Sequence, residues 1–179
     1  MIRRWLGALM FGLLCGLIAW LVTLALIPHA LMSFAVSRVA QQAGAINAFA
    51  HAPLVTAASR AIVRPSPDLL YSSCPFDVSD APLLIDATPV DAPYWSLSIF
   101  DSQTNAVFVR NNQAGLAPVK VAVLGPGQSA PAGYTAVNVK GARGLALVRI
   151  LIDRRHPSAA IDAARRTARC RLANERGGA

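Results

Sequence analysis

The chain has 179 residues, of which 54% are hydrophobic and 15% are charged, and its formal net charge is +8. It is too apolar for a disordered protein, and its three cysteines are too few for a disulfide-built miniprotein. The length predicts a single folded domain with short accessory segments, and the sequence shows no internal repeat or heptad run.

The first element is an apolar run, Trp5–Ile27, which contains no charged residue. Its 23 residues would span about 35 Å as a helix, enough to cross a hydrocarbon core of about 30 Å. A cleaved signal peptide is the alternative, but this run is long for one and only a weak cleavage site, Ala35-Val36-Ser37, follows it. We therefore predict a retained transmembrane anchor within residues 1–28, with Pro28 marking its exit.

Flanking cations predict the orientation of this anchor. Arg3 and Arg4 precede the span, whereas Arg38 is the only basic residue within about fifteen positions after it. The positive-inside rule then places residues 1–4 in the cytoplasm and the rest outside. We expect a single-pass protein of the inner (cytoplasmic) membrane whose C-terminal domain is periplasmic or otherwise extracytoplasmic.

Residues 29–63 are rich in alanine and carry an imperfect helical stripe of apolar residues, which predicts a helical stalk. We expect Gly44 to interrupt it and a second short helix to run over about 53–62. The stalk would pack on the following domain or lie near the membrane surface.

From residue 64 onward the apolar pattern alternates with a period of two, which is typical of strands. Trp95, Leu97 and Ile99 alternate with serines, and turn residues 101–105 then predict a hairpin. We predict an antiparallel sandwich or barrel-like domain over residues 64–173, in which Arg149 needs a carboxylate or carbonyl partner. Its seven expected strands are 69–73, 83–87, 94–100, 106–110, 119–124, 134–139 and 145–152, and the last two should pair with each other.

The C-terminal segment, residues 157–172, predicts a helix with arginines at positions 165, 166, 169 and 171, followed by a flexible tail over 174–179. Residues 65–109 carry six aspartates and no cation, whereas residues 110–179 carry twelve cations and three acids. Either the two halves pair within one sheet, or a basic face contacts anionic lipid or another polyanion. Nucleic acid is not an expected partner, because neither zinc spacing nor a recognition helix is present.

A motif search predicts no catalytic residue, no metal site and no cofactor, because the nucleophile elbow, zinc-protease and phosphate-loop patterns are missing. Asp101-x-Gln103-x-Asn105 resembles the start of a calcium loop. However, Ala106 and Asn112 stand where glycine and a bidentate glutamate are required, so a hairpin turn is favoured. The three histidines, His29, His51 and His156, are each interpreted as structural or solvated.

Two cysteines, Cys74 and Cys170, lie in the expected exported part, whereas Cys15 lies inside the span. In an oxidising compartment they could form a disulfide that holds the C-terminal helix against the first strand. Two separate buried thiols are the alternative.

Several segments follow one another in a recognisable order: Arg64–Asp77, Pro82–Leu84, Tyr94–Asp101 with Asn105, Val123–Gly127 and Val148–Asp153. With the helix from Pro157, this order resembles the DUF1254 family of unknown function over about residues 64–172. Ser66 and Leu69 depart from its usual Asn and Thr, and many members carry a second β domain that we do not find here. The resemblance implies an antiparallel β fold in bacterial, often exported, proteins and no established reaction. Its motif positions are Asp68, Tyr71, Asp77, Tyr94, Asp101 and Arg149, which either fix the fold or line a ligand site.

These observations favour a membrane-anchored exported domain that binds or supports an envelope partner without catalysis. One alternative is a small-ligand-binding or hydrolytic enzyme that uses Asp68, Tyr71 or Asp101 near Arg149. The other is a protein that binds anionic lipid through its arginine-rich C-terminal helix. The sequence leaves the oligomeric state open.

Overall fold

A long N-terminal helix leads into a two-sheet β-sandwich in the computed structural model, which describes residues 2–56, 65–153, 155 and 158–174. Helix α1 is Ile2–Ala43, and it is long and apolar enough to cross a membrane. It continues through Pro28, so the proline that we expected to mark the exit of the anchor does not end the helix. Proline removes only one backbone hydrogen bond, and the packing of the later turns offsets that loss. The helix ends before Gly44, as predicted, because this glycine adopts a left-handed conformation with φ of 69°.

The predicted helical stalk is correct only as far as the end of α1. Residues 44–48 form turns and bends, Ala50–His51 is a short strand, and residues 52–56 have no regular structure. The second short helix is therefore missing over 53–56, and its remainder lies outside the described residues. The strand forms because the chain turns back after Gly44 and pairs with the edge of the sandwich.

The elements after α1 are, in chain order, β1 (Ala50–His51), β2 (Leu69–Asp77), β3 (Leu83–Ala87), β4 (Trp95–Phe100), β5 (Ala106–Asn111), β6 (Val119–Leu124), β7 (Thr135–Asn138), β8 (Arg143–Leu151), α2 (Ser158–Arg165) and β9 (Arg169–Leu172). Sheet A has the order β1-β2-β8-β4-β5 and is antiparallel throughout. Sheet B has the order β7-β6-β3-β9, in which only β6 and β7 are parallel. This arrangement confirms the predicted sandwich and shows that it is not a closed barrel.

Strand pairing departs from the prediction at one turn. The β4–β5 hairpin forms as expected, but β7 and β8 do not pair with each other. Instead β7 lies beside β6 in sheet B, and β8 crosses to sheet A and lies between β2 and β4. This central position buries alternate side chains of the apolar strand β8, which an edge hairpin would leave exposed.

Strand β2 also runs further than expected. It extends to Asp77 and therefore includes Pro75. In an antiparallel ladder the N–H and C=O of one residue point to the same side. The Pro75 carbonyl accepts a 2.8 Å hydrogen bond from the backbone of Asn47, on the side away from β8. The missing N–H of Pro75 therefore costs no bond with β8.

The core lies between the two sheets. Its largest fully buried side chains include Trp95 and Phe76 from sheet A and Leu83 and Ile85 from sheet B. Between the sheets Cys74 of β2 is joined to Cys170 of β9 by a disulfide, with 6.5 Å between the Cα atoms. This bond joins a strand of each sheet across the core.

Helix α1 covers the outer face of sheet A with its last four turns. Met32, Val36 and Val39 are buried there, and the helix contacts β1, β2 and β8. These three residues do not belong to the core between the sheets. The layers are therefore α1, sheet A and sheet B.

The C-terminal segment is a short helix followed by a strand, not one helix over 157–172. Helix α2 ends at Arg165, and β9 pairs with β3 so that Cys170 lies opposite Ile85. Strand pairing buries Cys170 against the core, which a continued helix would not do. The predicted arginine-rich helical face is consequently wrong, because Arg169 and Arg171 lie on a strand and Arg165 is buried.

Candidate functional site

Four of the six predicted positions lie at one end of sheet A, which we call the Arg149 end. Tyr71 of β2 and Arg149 of β8 are direct cross-strand partners. Backbone hydrogen bonds of 2.9 Å join the end of β8 to the carbonyls of Tyr94 and Asp68. The pairing of β2, β8 and β4 therefore gathers these four residues where β2 and β4 begin and β8 ends.

Tyr71 and Asp68 hold the start of β2. The Tyr71 hydroxyl accepts a 2.9 Å hydrogen bond from the backbone N–H of Ser66, and the Tyr71 carbonyl accepts one from Arg165. The side chain of Asp68 is exposed, and its carbonyl closes the ladder with β8. Both residues thus make backbone contacts that shape this end of the sheet.

Arg149 has few partners for a half-buried guanidinium. Its Nη2 donates to the Ser98 hydroxyl over a long 3.4 Å, and its buried Nε has no partner among the residues described. Ser96 of β4 lies directly opposite Arg149 of β8. It is fully buried, and its hydroxyl also has no partner in the described chain. The expected carboxylate or carbonyl partner of Arg149 is therefore not found there.

Asp77 lies at the opposite end of β2, about 20 Å from Tyr71 at roughly 3.3 Å per residue. Its carboxylate accepts a 2.8 Å hydrogen bond from Nε of Arg143 and further bonds from Ser79. Partial burial raises the pKa of Asp77, but the hydrogen bonds from Ser79 and Arg143 outweigh this effect and leave the pKa below its ordinary value. Asp77 therefore caps a turn and forms an ion pair with Arg143 at this end.

Asp101 also lies at this far end, where it caps the β4–β5 hairpin. It is 1% exposed, and Oδ1 accepts backbone hydrogen bonds of 2.9 Å from Gln103 and Asn105. Oδ2 accepts a 3.1 Å bond from the Asn105 amide. These bonds occupy the carboxylate as a turn cap, and no cluster of three metal-ligating side chains occurs in the described residues.

The six motif positions therefore do not converge on one pocket. Asp101 is five residues beyond Ser96, the partner of Arg149, and thus about 17 Å away along β4. An enzyme that combines Asp101 with Arg149 has no support in this geometry.

Sequence reasoning missed a partly buried polar cluster formed by His51, Ser72, Asp162 and Arg165. Arg165 is 3% exposed, and its guanidinium donates to the carbonyls of Tyr71 and Ala52 and to Asp162. It also reaches the Ser72 hydroxyl at 3.4 Å. Arginine spacing could not reveal this role, because Arg165 seemed to belong to an exposed helical face.

His51 completes the cluster through a 2.9 Å contact between its Nδ1 and the Ser72 hydroxyl. Burial lowers the pKa of His51, and the charges of Arg165 and Arg166 lower it further against the opposing charge of Asp162. The pair is not a hydrolytic dyad, because Ser72 is 1% exposed and shares its hydroxyl with Arg165. The cluster instead joins β1, β2 and α2.

The outer face of sheet B carries a second polar group. The Tyr134 hydroxyl lies 3.0 Å from both carboxylate oxygens of Asp86, and the Lys120 ammonium lies 5.8 Å from the centre of the Tyr134 ring. Partial burial and the Asp86 carboxylate raise the pKa of Tyr134. Asp86 lies between Lys120 and Arg169 on neighbouring strands, so acidic and basic halves of the chain meet on this face.

Comparison with protein families places these features in context. The model of the family described as protein of unknown function (DUF1254) matches residues 46–172. The chain belongs to the DUF1254 family. The matched residues begin just before β1 and end with β9, so the family domain is the sandwich with its β1 edge strand. A search among curated proteins found no match.

Two solved structures share the fold of this DUF1254 domain. The VPA0106 protein from Vibrio parahaemolyticus matches 82% of this chain with a TM-score of 0.59 and 14% identity. A putative uncharacterized protein from Burkholderia cenocepacia matches 76% with a TM-score of 0.52 and 16% identity. The matched regions are 37% and 38% of those chains, so this chain spans little more than a third of either relative.

Proposed function

We propose that this DUF1254 protein is a membrane-anchored exported domain that binds or supports another component of the bacterial envelope. The observation that carries the proposal is the continuity of α1 from the apolar run Trp5–Ile27 to the outer face of sheet A. A cleaved signal sequence would not need to pack against the folded domain. The buried stripe of Met32, Val36 and Val39 makes α1 part of the fold.

The same helix fixes the distance between domain and membrane. Met32, the first buried residue of α1, follows Ile27 by five residues, which is about 7.5 Å along a helix. A headgroup layer is about 5–8 Å thick. The proposed role is therefore a rigid module held at the membrane surface, with no free stalk between span and sandwich.

Two further features support export and a non-catalytic role. The Cys74–Cys170 disulfide suits an oxidising compartment such as a periplasm. The motif carboxylates Asp77 and Asp101 cap turns, and the one Ser–His contact in the described residues uses a serine, Ser72, that is 1% exposed. These roles favour binding or support over hydrolysis.

Topology is tested with one engineered thiol. Val109→Cys, at a position 58% exposed on β5, is made in a Cys15→Ala background, and intact cells are treated with a membrane-impermeant maleimide. We expect labelling without lysis and recovery of the chain in the carbonate-washed membrane pellet. Labelling only after lysis would contradict export, and recovery in the soluble fraction would contradict anchoring.

The binding role is tested by uncoupling the sandwich from α1. Val36→Asp puts a charge into the buried helix–sheet contact, whereas Ser37→Asp puts the same charge on the exposed neighbour. We expect the first variant to lose complementation of an envelope defect in the deletion strain, and the second to retain it. A deletion strain without an envelope defect, together with no partner cross-linked to the wild type, would refute the proposal.

A further inference from the structure

Arg149 is a half-buried cation that has no anionic partner among the described residues. Its guanidinium offers five N–H donors, yet the described residues provide only the 3.4 Å contact with Ser98. Its Nε is buried without a partner there, and the Ser96 hydroxyl directly across the strand is in the same condition. A partly buried guanidinium is stabilised by a bidentate oxyanion, such as carboxylate or phosphate.

Strand register places Arg149 on the face of sheet A that α1 covers. Its neighbours along β8, Val148 and Ile150, are core residues between the sheets, and successive side chains alternate faces. Arg149 is also two residues from the end of β8, so it lies near the rim of the sheet.

This rim is the one that faces the membrane under the proposed anchoring. Just beyond the C-terminal end of α1, the backbone of Asn47 bonds to Pro75, near the far end of β2. With the end of α1 near that rim and Met32, Val36 and Val39 buried before it, the proposal takes the helix to run along the sheet from the opposite rim, where β2 begins beside Arg149. The 7.5 Å between Ile27 and Met32 then brings the Arg149 end to about headgroup depth.

We propose that Arg149 binds a phosphate group at this rim, and that the phosphate belongs to a phospholipid of the membrane that α1 spans. The inference rests on the proposed anchoring. The guanidinium would donate to the phosphate oxygens, with the hydroxyls of Ser96 and Ser98 beside it on β4. Free phosphate offers the same chemistry, so the test separates the two sources.

The full chain is purified in detergent and titrated with phosphatidylglycerol, with diacylglycerol of the same acyl chains, and with inorganic phosphate. Bound lipid is counted by native mass spectrometry. Arg149→Met removes the donors, and Arg149→Lys keeps the charge without the bidentate geometry. Arg143→Met is the matched control, because Arg143 lies on the same strand at the far end, 62% exposed and paired with Asp77.

We expect the wild type to prefer phosphatidylglycerol over diacylglycerol by about tenfold, as one charge-assisted hydrogen bond provides. Arg149→Met should abolish the preference, Arg149→Lys should keep part of it, and Arg143→Met should leave it unchanged. Equal binding of both lipids by the wild type refutes the site even if the variants fail to fold. If inorganic phosphate bound to the wild type but not to Arg149→Met, while the wild type bound phosphatidylglycerol and diacylglycerol equally, a phospholipid would be refuted as the source of the phosphate.

Failure of the phosphate site can be distinguished from failure of the proposed anchoring. A chain that sediments with carbonate-washed membranes but binds both lipids equally loses only the phosphate site. A chain that is soluble in cells loses the anchoring on which the site rests.

Discussion

Removing the Cys74–Cys170 disulfide should lower the stability of the sandwich by several kcal/mol. Cys74 and Cys170 are separated by 96 positions, so the bond closes a long loop in the unfolded chain. The chain-entropy relation gives about 4.7 kcal/mol for such a loop at 25 °C. One kcal/mol shifts the midpoint of a domain of this size by roughly 4 °C, which predicts a fall of roughly 15–20 °C.

The assay is thermal unfolding of the full chain in detergent, followed by near-UV circular dichroism, for wild type and the Cys74→Ala/Cys170→Ala variant. Reductant should lower the midpoint of the wild type and leave that of the variant unchanged. Cys15→Ala is the control, because Cys15 is an exposed free thiol of α1 and should leave the midpoint unchanged. A difference between wild type and double variant below about 4 °C, equivalent to about 1 kcal/mol, would show that the bond is absent or carries no constraint.

Three further changes test individual contacts. Arg165→Met should lower the free energy of unfolding by about 3 kcal/mol in denaturant titrations, because it removes the charged hydrogen bonds that the buried guanidinium donates to the carbonyls of Tyr71 and Ala52 and to Asp162. Arg166→Met, at an exposed position, should change it by less than about 0.5 kcal/mol. Asp101→Ala should cost about 2 kcal/mol, because three hydrogen bonds of the hairpin turn are lost, whereas Asp91→Ala at an exposed site should be neutral; equal effects would contradict the capping role. The pKa of His51 is below its ordinary 6.5 in the folded chain, so its neutral form contributes stability that is complete above about pH 6.5 and is lost as the pH falls through the folded value. We expect the wild type to lose stability between pH 7 and pH 5 more steeply than His51→Gln, and parallel pH profiles would refute this assignment.

The fold class was predictable because its signals are local. The alternation of Trp95, Leu97 and Ile99 with serines specifies a strand in any environment, and the turn residues from Asp101 close its hairpin. In the structure Ser96 and Ser98 are nevertheless buried, so the outer face of sheet A is shielded from solvent at these positions as well. The periodicity thus identified the strand but not the second covering layer.

Strand partners and the last helix were not predictable, because long-range contacts decide them. Residues 166–172 have helical propensity as a segment, but Cys170 gains a core position and a partner strand only in an extended conformation. Likewise Arg165 looks like one of several exposed arginines until the carbonyls of Tyr71 and Ala52 lie around it. The sequence contains no local signal for either contact.

The layer order limits where the proposed envelope partner could bind this domain. The outer face of sheet A is occupied by α1 over β1, β2 and β8. The outer face of sheet B lies one further sheet away, about 10 Å beyond sheet A, and carries the exposed cations Lys120 and Arg169. A partner anchored in the same membrane would therefore meet sheet B or the exposed edge strand β5, and the cations of sheet B favour an acidic surface on that partner.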